Sequence, residues 1–186
     1  MTQIHLLGLC GALRSGSTNR LLLQEAARLF GPTTYAEASL RLPLYDGDIE
    51  AQHGIPQEVQ QLAQQIIAAD AVLIAGPEYN KGISGVLKNA LDWLSRGPQR
   101  PWAGKPVAIM SAAAGRAGGE RMQVMLRSCL NPFQPRVIPG PEVMIAASDQ
   151  AFNDQGQLTD PRSIETLSAL MARLKDEIAL VKAAQS

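Results

Sequence analysis

Hydroxyl and amide side chains, together with one arginine, are concentrated in a glycine-containing segment near the start of the chain. The segment reads Gly11-Ala12-Leu13-Arg14-Ser15-Gly16-Ser17-Thr18-Asn19. Helix N-terminal amides attract anions, and an arginine guanidinium can form two parallel hydrogen bonds with phosphate oxygens. The residue types therefore indicate a phosphate site. A capped strand-to-helix turn with a surface arginine is the alternative, because the same residue types are common where helices begin.

Two widespread phosphate-binding motifs do not match this segment. Gly11 and Gly16 have the spacing of a Walker A loop, but Ser17 stands where that loop needs a lysine for the β- and γ-phosphates. The dinucleotide motif G-x-G-x-x-G is also absent, since Gly8 and Gly11 do not supply it. What remains is a polar segment with one cation, which suits a terminal monophosphate.

Two later segments carry further candidate binding groups, and each follows an apolar run of strand length. The second segment of the chain with such groups reads Pro77-Glu78-Tyr79-Asn80 and offers an aromatic ring beside an amide side chain. The third segment reads Ser111-Ala112-Ala113-Ala114-Gly115-Arg116-Ala117-Gly118-Gly119, so its backbone amides can lie against a flat ring. In an open parallel sheet, ligands bind beyond the carboxyl ends of the strands. The three segments together suit a planar heterocycle on a phosphorylated tail.

The elements that must position these segments alternate between strand and helix. Apolar runs predict strands at residues 4–9, 35–38, 71–75, 107–110 and 143–146. Helical spacing of apolar residues predicts helices at residues 20–30, 56–69, 84–94, 121–130 and 161–182. Continuous apolar strands are typical of parallel sheets that are buried on both faces. The chain is therefore predicted to form an α/β fold, a doubly wound five-stranded parallel sheet with helices on both faces.

Composition and length narrow the class of protein. We expect one domain over residues 1–186. The 17 basic residues balance 17 acidic ones, and this neutral charge does not favour a nucleic-acid partner or an anionic membrane surface. Cys10 and Cys129 lie in apolar segments and are expected to be reduced thiols. The two histidines, His5 and His53, are isolated in the sequence, so no metal site is predicted. No run has transmembrane length and no signal peptide is recognised, so we expect no membrane association and a cytoplasmic protein.

The motifs resemble those of the flavodoxin-like NADPH-dependent FMN reductases, a group that includes quinone, azo and chromate reductases. Residues 11–19 resemble the G-S-L-R-x-G-S-x-N motif of that family, and residues 77–80 match its P-E-Y-N. Residues 85–95 read GVLKNALDWLS, similar to G-x-L-K-N-A-x-D-W. The resemblance extends over nearly the whole chain and implies a flavodoxin-like fold.

The resemblance also implies a cofactor and a reaction. The chain would bind FMN, accept hydride from NADPH or NADH, and pass electrons by a ping-pong mechanism to quinones or similar small acceptors, such as free flavin, azo compounds or chromate. The chemistry would belong to the flavin, so no catalytic side chain is assigned. A flavodoxin-like electron carrier and a flavin-free binding protein of the same fold are the alternatives.

The same resemblance assigns roles to residues. Arg14, Ser15, Ser17 and Asn19 would hold the phosphate, residues 78–80 would lie along the isoalloxazine ring, and Arg116 would bind the substrate at its rim. The predicted cofactor-binding residues are Ala12, Leu13, Arg14, Ser15, Gly16, Ser17, Thr18, Asn19, Pro77, Glu78, Tyr79, Asn80, Ser111, Ala112 and Gly115. A homodimer or homotetramer is implied as well, although Val124 replaces a tyrosine found in tetrameric relatives.

Overall fold

The computed structural model describes residues 3–185, in which strands and helices alternate along most of the chain. The strands are β1 (His5–Cys10), β2 (Thr34–Ala38), β3 (Ala71–Gly76), β4 (Pro106–Ala112), β5 (Arg136–Val137) and β6 (Val143–Ile145). The helices are α1 (Thr18–Phe30), α2 (Gly47–His53), α3 (Gln57–Ala68), α4 (Gly85–Leu94), α5 (Glu120–Leu130) and α6 (Pro161–Gln185), with one 3₁₀ turn at Asn131–Phe133.

All strand pairs recorded within residues 3–185 are parallel, and the order across the sheet is β2-β1-β3-β4-β5. The sheet has six strands where five were predicted, because β5 and β6 share the position beside β4. Val107 pairs with Val137, while Ser111 pairs with Met144. The residues between the two short strands include Pro139 and Pro141, which lack the N–H groups that a continuous ladder would need.

The sheet is covered by a hydrophobic core on each face. One core joins Leu6, Leu73 and Met110 of the sheet to residues of α1 and α6, such as Leu22 and Leu174. The other core joins the alternate strand residues to α3, α4 and α5, with Leu7, Ile74, Ile109, Leu62 and Leu91 among its members. Helices on both faces confirm the doubly wound α/β arrangement predicted from the sequence.

Two local elements differ from the sequence-based expectation. No helix was predicted between residues 31 and 55, but Gly47–His53 forms α2, and the Asp46 carboxylate accepts a hydrogen bond from the Asp48 N–H at 2.9 Å. Asp46 is therefore the N-cap of a short helix. Helix α1 begins at Thr18, two residues before the expected start, so Thr18 and Asn19 lie in its first turn.

Candidate functional site

The carboxyl ends of β1, β3 and β4 bring the three candidate segments together around one cleft of about 420 Å³. Its lining consists of Ala12, Arg14, Ser17, Thr18, Asn19, Pro77, Glu78, Tyr79, Ala112, Ala113, Ala114, Gly115, Ser148 and Asp149. Among the predicted site residues, Leu13, Ser15, Gly16, Asn80, Ser111 and Arg116 do not line it. The cleft lies where a doubly wound sheet binds its ligands.

The first segment presents backbone N–H groups. Within residues 3–185, the backbone N–H groups of residues 14–18 donate no recorded hydrogen bond to another residue. The exposed Arg14 guanidinium donates to the carbonyl of Gly16 at 2.5 Å, so it lies folded over the loop. Ser17 is buried, and its hydroxyl accepts from the Cys10 thiol at 3.7 Å. A run of backbone donors without partners beside an arginine is a suitable site for an anion.

Asn19 joins the first segment to the third. Its Nδ2 donates to the carbonyl of Ala112 at 2.8 Å, and its Oδ1 accepts from the Ala112 N–H at 2.9 Å. The buried amide therefore pairs with the end of β4 much as a neighbouring strand would. This finding gives Asn19 a positioning role, since both polar ends of its side chain are occupied.

The second segment forms a tight hairpin at the edge of the cleft. Tyr79 and Gly82 exchange two backbone hydrogen bonds, each of 3.1 Å. The residues between them, Asn80 and Lys81, have φ values of 49° and 67°. A two-residue hairpin turn requires such positive φ values, and asparagine tolerates them well. The Tyr79 side chain is 52% exposed, so its ring is available to a ligand instead of packing in the core.

Glu78 connects this hairpin to α5, a role that sequence reasoning missed. Its Oε2 accepts from the backbone N–H of Arg121 at 3.0 Å, and its Oε1 lies 3.7 Å from the Arg121 guanidinium. A carboxylate at a helix N-terminus is favoured because it satisfies a free N–H group and complements the helix dipole. Glu78 therefore holds the second segment against the helix that follows the third.

The third segment, residues 111–119, also presents free backbone donors. Within residues 3–185 the N–H groups of residues 114–117 donate no recorded hydrogen bond. The Ala113 N–H donates to the carbonyl of Ile145 at 3.0 Å, and the Ser111 hydroxyl donates to the carbonyl of Gly118 at 2.7 Å. Anchored at both ends, the segment leaves small side chains and amide groups toward the cleft.

A fourth segment contributes to the cleft and was not among the predicted site residues. Ser148 and Asp149 follow β6, and the Thr18 hydroxyl donates to the Ser148 hydroxyl at 3.2 Å. The Ser148 N–H donates to the carbonyl of Ala113 at 3.2 Å. Residues 143–146 were predicted to be a strand, so the position of Ser148 and Asp149 beyond its carboxyl end was the signal that could have found them.

A larger groove of about 820 Å³ lies elsewhere, between α3 and the loop after α4. Its lining includes six glutamines and no charged side chain: Ile55, Gln57, Val59, Gln60, Gln61, Ala63, Gln64, Gln65, Trp93, Leu94, Gly97, Pro98, Gln99 and Pro101. Its lining holds no arginine or other cation that could pair with an anion. The chemistry therefore assigns the functional site to the smaller cleft.

Residues 3–185 contain no helix that is long and apolar enough to cross a membrane. In the same range, no three His, Cys, Asp or Glu side chains are grouped so that they could hold a metal ion. Cys10 and Cys129 are both free thiols, the first buried and the second partly exposed.

The strand order and the position of the cleft define a flavodoxin-like α/β protein. The profile of the NADPH-dependent FMN reductase family matches residues 4–150, and the chain belongs to this family. The sequence motifs of the chain had predicted this family. The chain is thus an FMN-dependent NAD(P)H oxidoreductase, which sets aside the electron-carrier and flavin-free alternatives.

Individual relatives agree with the family. The chain is 44% identical over 174 residues to an NAD(P)H-dependent FMN reductase of Pseudomonas aeruginosa, covering 92% of this chain and 94% of that protein. It is 36% identical over 185 residues to a quinone reductase of Escherichia coli, covering 97% of this chain and 98% of that protein. The solved structure of FerB, a flavoenzyme NAD(P)H:(acceptor) oxidoreductase from Paracoccus denitrificans, superposes with a TM-score of 0.85 at 30% identity, covering 95% and 97% of the two chains.

Proposed function

We propose that FMN binds in the 420 Å³ cleft with its phosphate at residues 14–18. The supporting observation is the run of backbone N–H groups in that segment, which have no partners among the described residues. Five such donors and one guanidinium suit the charge and the several oxygens of a phosphate group. The hydroxyl groups of Ser15 and Ser17 add donors, whereas that of Thr18 is already used on Ser148. Ala12 contributes only backbone, and Asn19 acts through Ala112.

The isoalloxazine ring is proposed to lie between the second and third segments. The ring of Tyr79 and the backbone of Pro77, Glu78 and Asn80 would face one side of it. The amides after Ala112 would face the pyrimidine edge, where N–H groups stabilise negative charge during reduction. Bound FMN supplies the two-electron redox chemistry, and the residues around it orient the ring and exclude competing geometries.

Calorimetric titration of the apo-protein with FMN tests this placement. Replacing Arg14 by Ala should weaken FMN binding about tenfold or more, because a hydrogen bond to a charged group contributes about 1.5–3 kcal/mol. Arg173→Ala, which changes an exposed arginine on α6, is the matched control. Unchanged FMN affinity in Arg14→Ala would remove Arg14 from the phosphate site.

NADPH or NADH and the electron acceptor are proposed to use the same open side of the cleft in turn. Ala113, Ala114 and Gly115 leave this side free of large side chains. Arg116 follows Gly115 directly, is exposed, and forms no ion pair in residues 3–185. A shared site requires ping-pong kinetics, seen as parallel double-reciprocal lines. Intersecting lines would show that both substrates bind together.

Arg116 is proposed to bind the negatively charged tail of the nucleotide. Arg116→Ala should raise the KM for NADPH more than it lowers kcat, because a contact present before and during hydride transfer affects binding alone. Arg162→Ala, an exposed arginine at the start of α6, serves as the control. An equal fall in kcat and kcat/KM would instead place Arg116 in the transition state.

Quinones are the proposed acceptors, since the related Escherichia coli protein is a quinone reductase. Few side chains in the open part of the cleft can read a particular substituent, so acceptor scope should be broad. Initial rates with a panel of a soluble quinone, free flavin, an azo dye and chromate would rank them. The cytoplasmic location and the single domain over residues 1–186 stay predictions.

A homodimer or homotetramer is proposed for the assembled protein. Apolar side chains are exposed on α5 and beside the cleft, namely Tyr79, Val124, Met125 and Met144, and a second copy would bury them. Light scattering at low micromolar concentration should report more than one chain per particle. A monomer at that concentration would refute the assembly.

A further inference from the structure

The first segment, residues 11–19, is called the phosphate segment from here on. Its carbonyl groups are held by arginine side chains. Four consecutive carbonyls, those of residues 13–16, each accept a hydrogen bond from a guanidinium. Arg41 Nη2 donates to Leu13 at 2.9 Å, and Arg20 Nη1 donates to Arg14 at 3.1 Å and to Ser15 at 3.3 Å. Arg14 itself donates to Gly16.

Peptide geometry links these carbonyls to the free donors. The carbonyl of one residue and the N–H of the next belong to one planar trans peptide, and the two groups point in opposite directions. Fixing the carbonyls of residues 13–16 therefore fixes the N–H groups of residues 14–17. These are four of the five N–H groups of residues 14–18, none of which has a hydrogen-bond partner among the described residues.

Arg20 and Arg41 act from outside the cleft. Both line a separate hollow of about 220 Å³ beside β2, and neither lines the cleft in which FMN is proposed to bind. Arg20 is anchored there by Glu37 of β2, with its Nε 2.6 Å from Glu37 Oε1. The hydrogen bond to Glu37 also raises the pKa of Arg20 above its ordinary value.

We propose that Arg20 and Arg41 are positioning residues that turn the N–H groups of residues 14–17 toward the ligand and thereby set the preference for a phosphorylated flavin over an unphosphorylated one. The inference rests on the proposed phosphate position. It adds that selectivity for the phosphate depends on two side chains beside β2 that do not line the cleft.

The test compares FMN with riboflavin, which has the same ring without the phosphate. Both are titrated calorimetrically into apo-protein carrying Arg41→Met. The affinity for FMN should fall about tenfold, the effect of losing part of one hydrogen bond to a charged group, while the affinity for riboflavin changes less than about twofold. Arg100→Met, which removes an exposed arginine bound to Gln134, should alter neither affinity.

A second variant keeps the charge and changes the geometry. In Arg20→Lys the ammonium group can still pair with Glu37, but it cannot also reach two carbonyls in the way a guanidinium does. The same selective loss of FMN affinity is expected. The ratio of wild-type to variant affinity for FMN should be the same at high salt. Salt screens the attraction between charges, but it does not correct the orientation of displaced N–H groups.

Several results would overturn the inference. These are unchanged FMN affinity in both variants, an equal loss for riboflavin, or a loss that disappears at high salt. A different result addresses the proposed function itself: if the wild-type protein binds FMN and riboflavin equally well, the phosphate does not lie at residues 14–18.

Discussion

The side-chain amide of Gln123 donates to the hydroxyl of Ser111 at 2.9 Å, and both residues are fully buried. The same Nε2 donates to the carbonyl of Val143 at 2.8 Å, and the Ser111 hydroxyl donates onward to the carbonyl of Gly118 at 2.7 Å. The donors run in one direction, from α5 through β4 to the end of the third segment. Gln123 Oε1 is buried without a hydrogen-bond partner in the described part of the chain.

Replacing Gln123 by Glu preserves the shape of this group and removes its donors. A carboxylate would face the Val143 carbonyl and could only accept from Ser111, which would then lose its bond to Gly118. We expect the free energy of unfolding to fall by about 2–4 kcal/mol at pH 7, since buried acceptors are left unpaired. Urea unfolding measures this, with the exposed Gln64→Glu as control. A loss below about 0.5 kcal/mol would show that the network does not hold the loop.

The paired hydrogen bonds between Asn19 and Ala112 lead to a second stability prediction. Asn19→Ala leaves the N–H and the carbonyl of Ala112 buried without partners, so we expect a loss of about 2–4 kcal/mol in urea unfolding. Gln24→Ala removes an exposed amide from the same helix and should change stability by about 0.5 kcal/mol at most. Equal effects of the two substitutions would contradict the positioning role.

The buried hydroxyl of Tyr35 leads to a prediction of the opposite sign, namely a substitution that does not reduce stability. The Tyr35 hydroxyl is buried without a recorded partner in residues 3–185, and burial raises its pKa. Tyr35→Phe should therefore be neutral or should stabilise the fold by up to about 1 kcal/mol, because an unpaired polar atom is removed. A destabilisation above about 1 kcal/mol in thermal unfolding would reveal a partner for this hydroxyl.

Gly8 provides a matched test of the same contact. A methyl group at Gly8 would lie 2.4 Å from the Tyr35 hydroxyl oxygen and 2.9 Å from two ring carbons, so Gly8→Ala should destabilise the protein. In a Tyr35→Val background the clash is gone and most of the loss should disappear. The coupling energy in this double-mutant cycle should be about 1–3 kcal/mol, and additive losses would argue against the close approach.

The ion pair between Asp70 and Lys182 predicts a pH dependence. Burial opposes ionisation of Asp70, but hydrogen bonds from Lys182 and the His5 N–H prevail and lower its pKa. A lowered pKa in the folded state contributes stability above the unfolded value of about 3.9, and this is lost as the pH falls through the folded value. Asp70→Asn should therefore reduce stability at pH 6 and flatten its decline below about pH 4, whereas the exposed Asp154→Asn should leave the profile unchanged.

The sequence predicted the parts of the fold that depend on local pattern. The buried runs at residues 71–75 and 107–110 became β3 and β4, and the segments after them met at one edge, because parallel strands end together. Helix α2 was missed because it has only seven residues, none of them buried, so it carries no apolar face. Strand β5 was missed because two residues give no periodicity.

The contacts that shape the candidate site were beyond prediction for a different reason. Glu78 and Arg121, Asn19 and Ala112, and Arg41 and Leu13 are separated by 43, 93 and 28 residues in the chain. Residue type alone does not say which partner a polar side chain finds after folding. The phosphate segment could be recognised from its composition, whereas the arginines that orient it could not.

The division of the last strand position into β5 and β6 has a consequence for how the protein behaves at high concentration. A long strand at the edge of a sheet presents unpaired N–H and carbonyl groups on which another chain can extend the sheet. Here the edge beside β4 consists of strands of two and three residues, separated by a stretch with two prolines. Such an edge offers no continuous template, so it resists the sheet-to-sheet polymerisation that begins many aggregates.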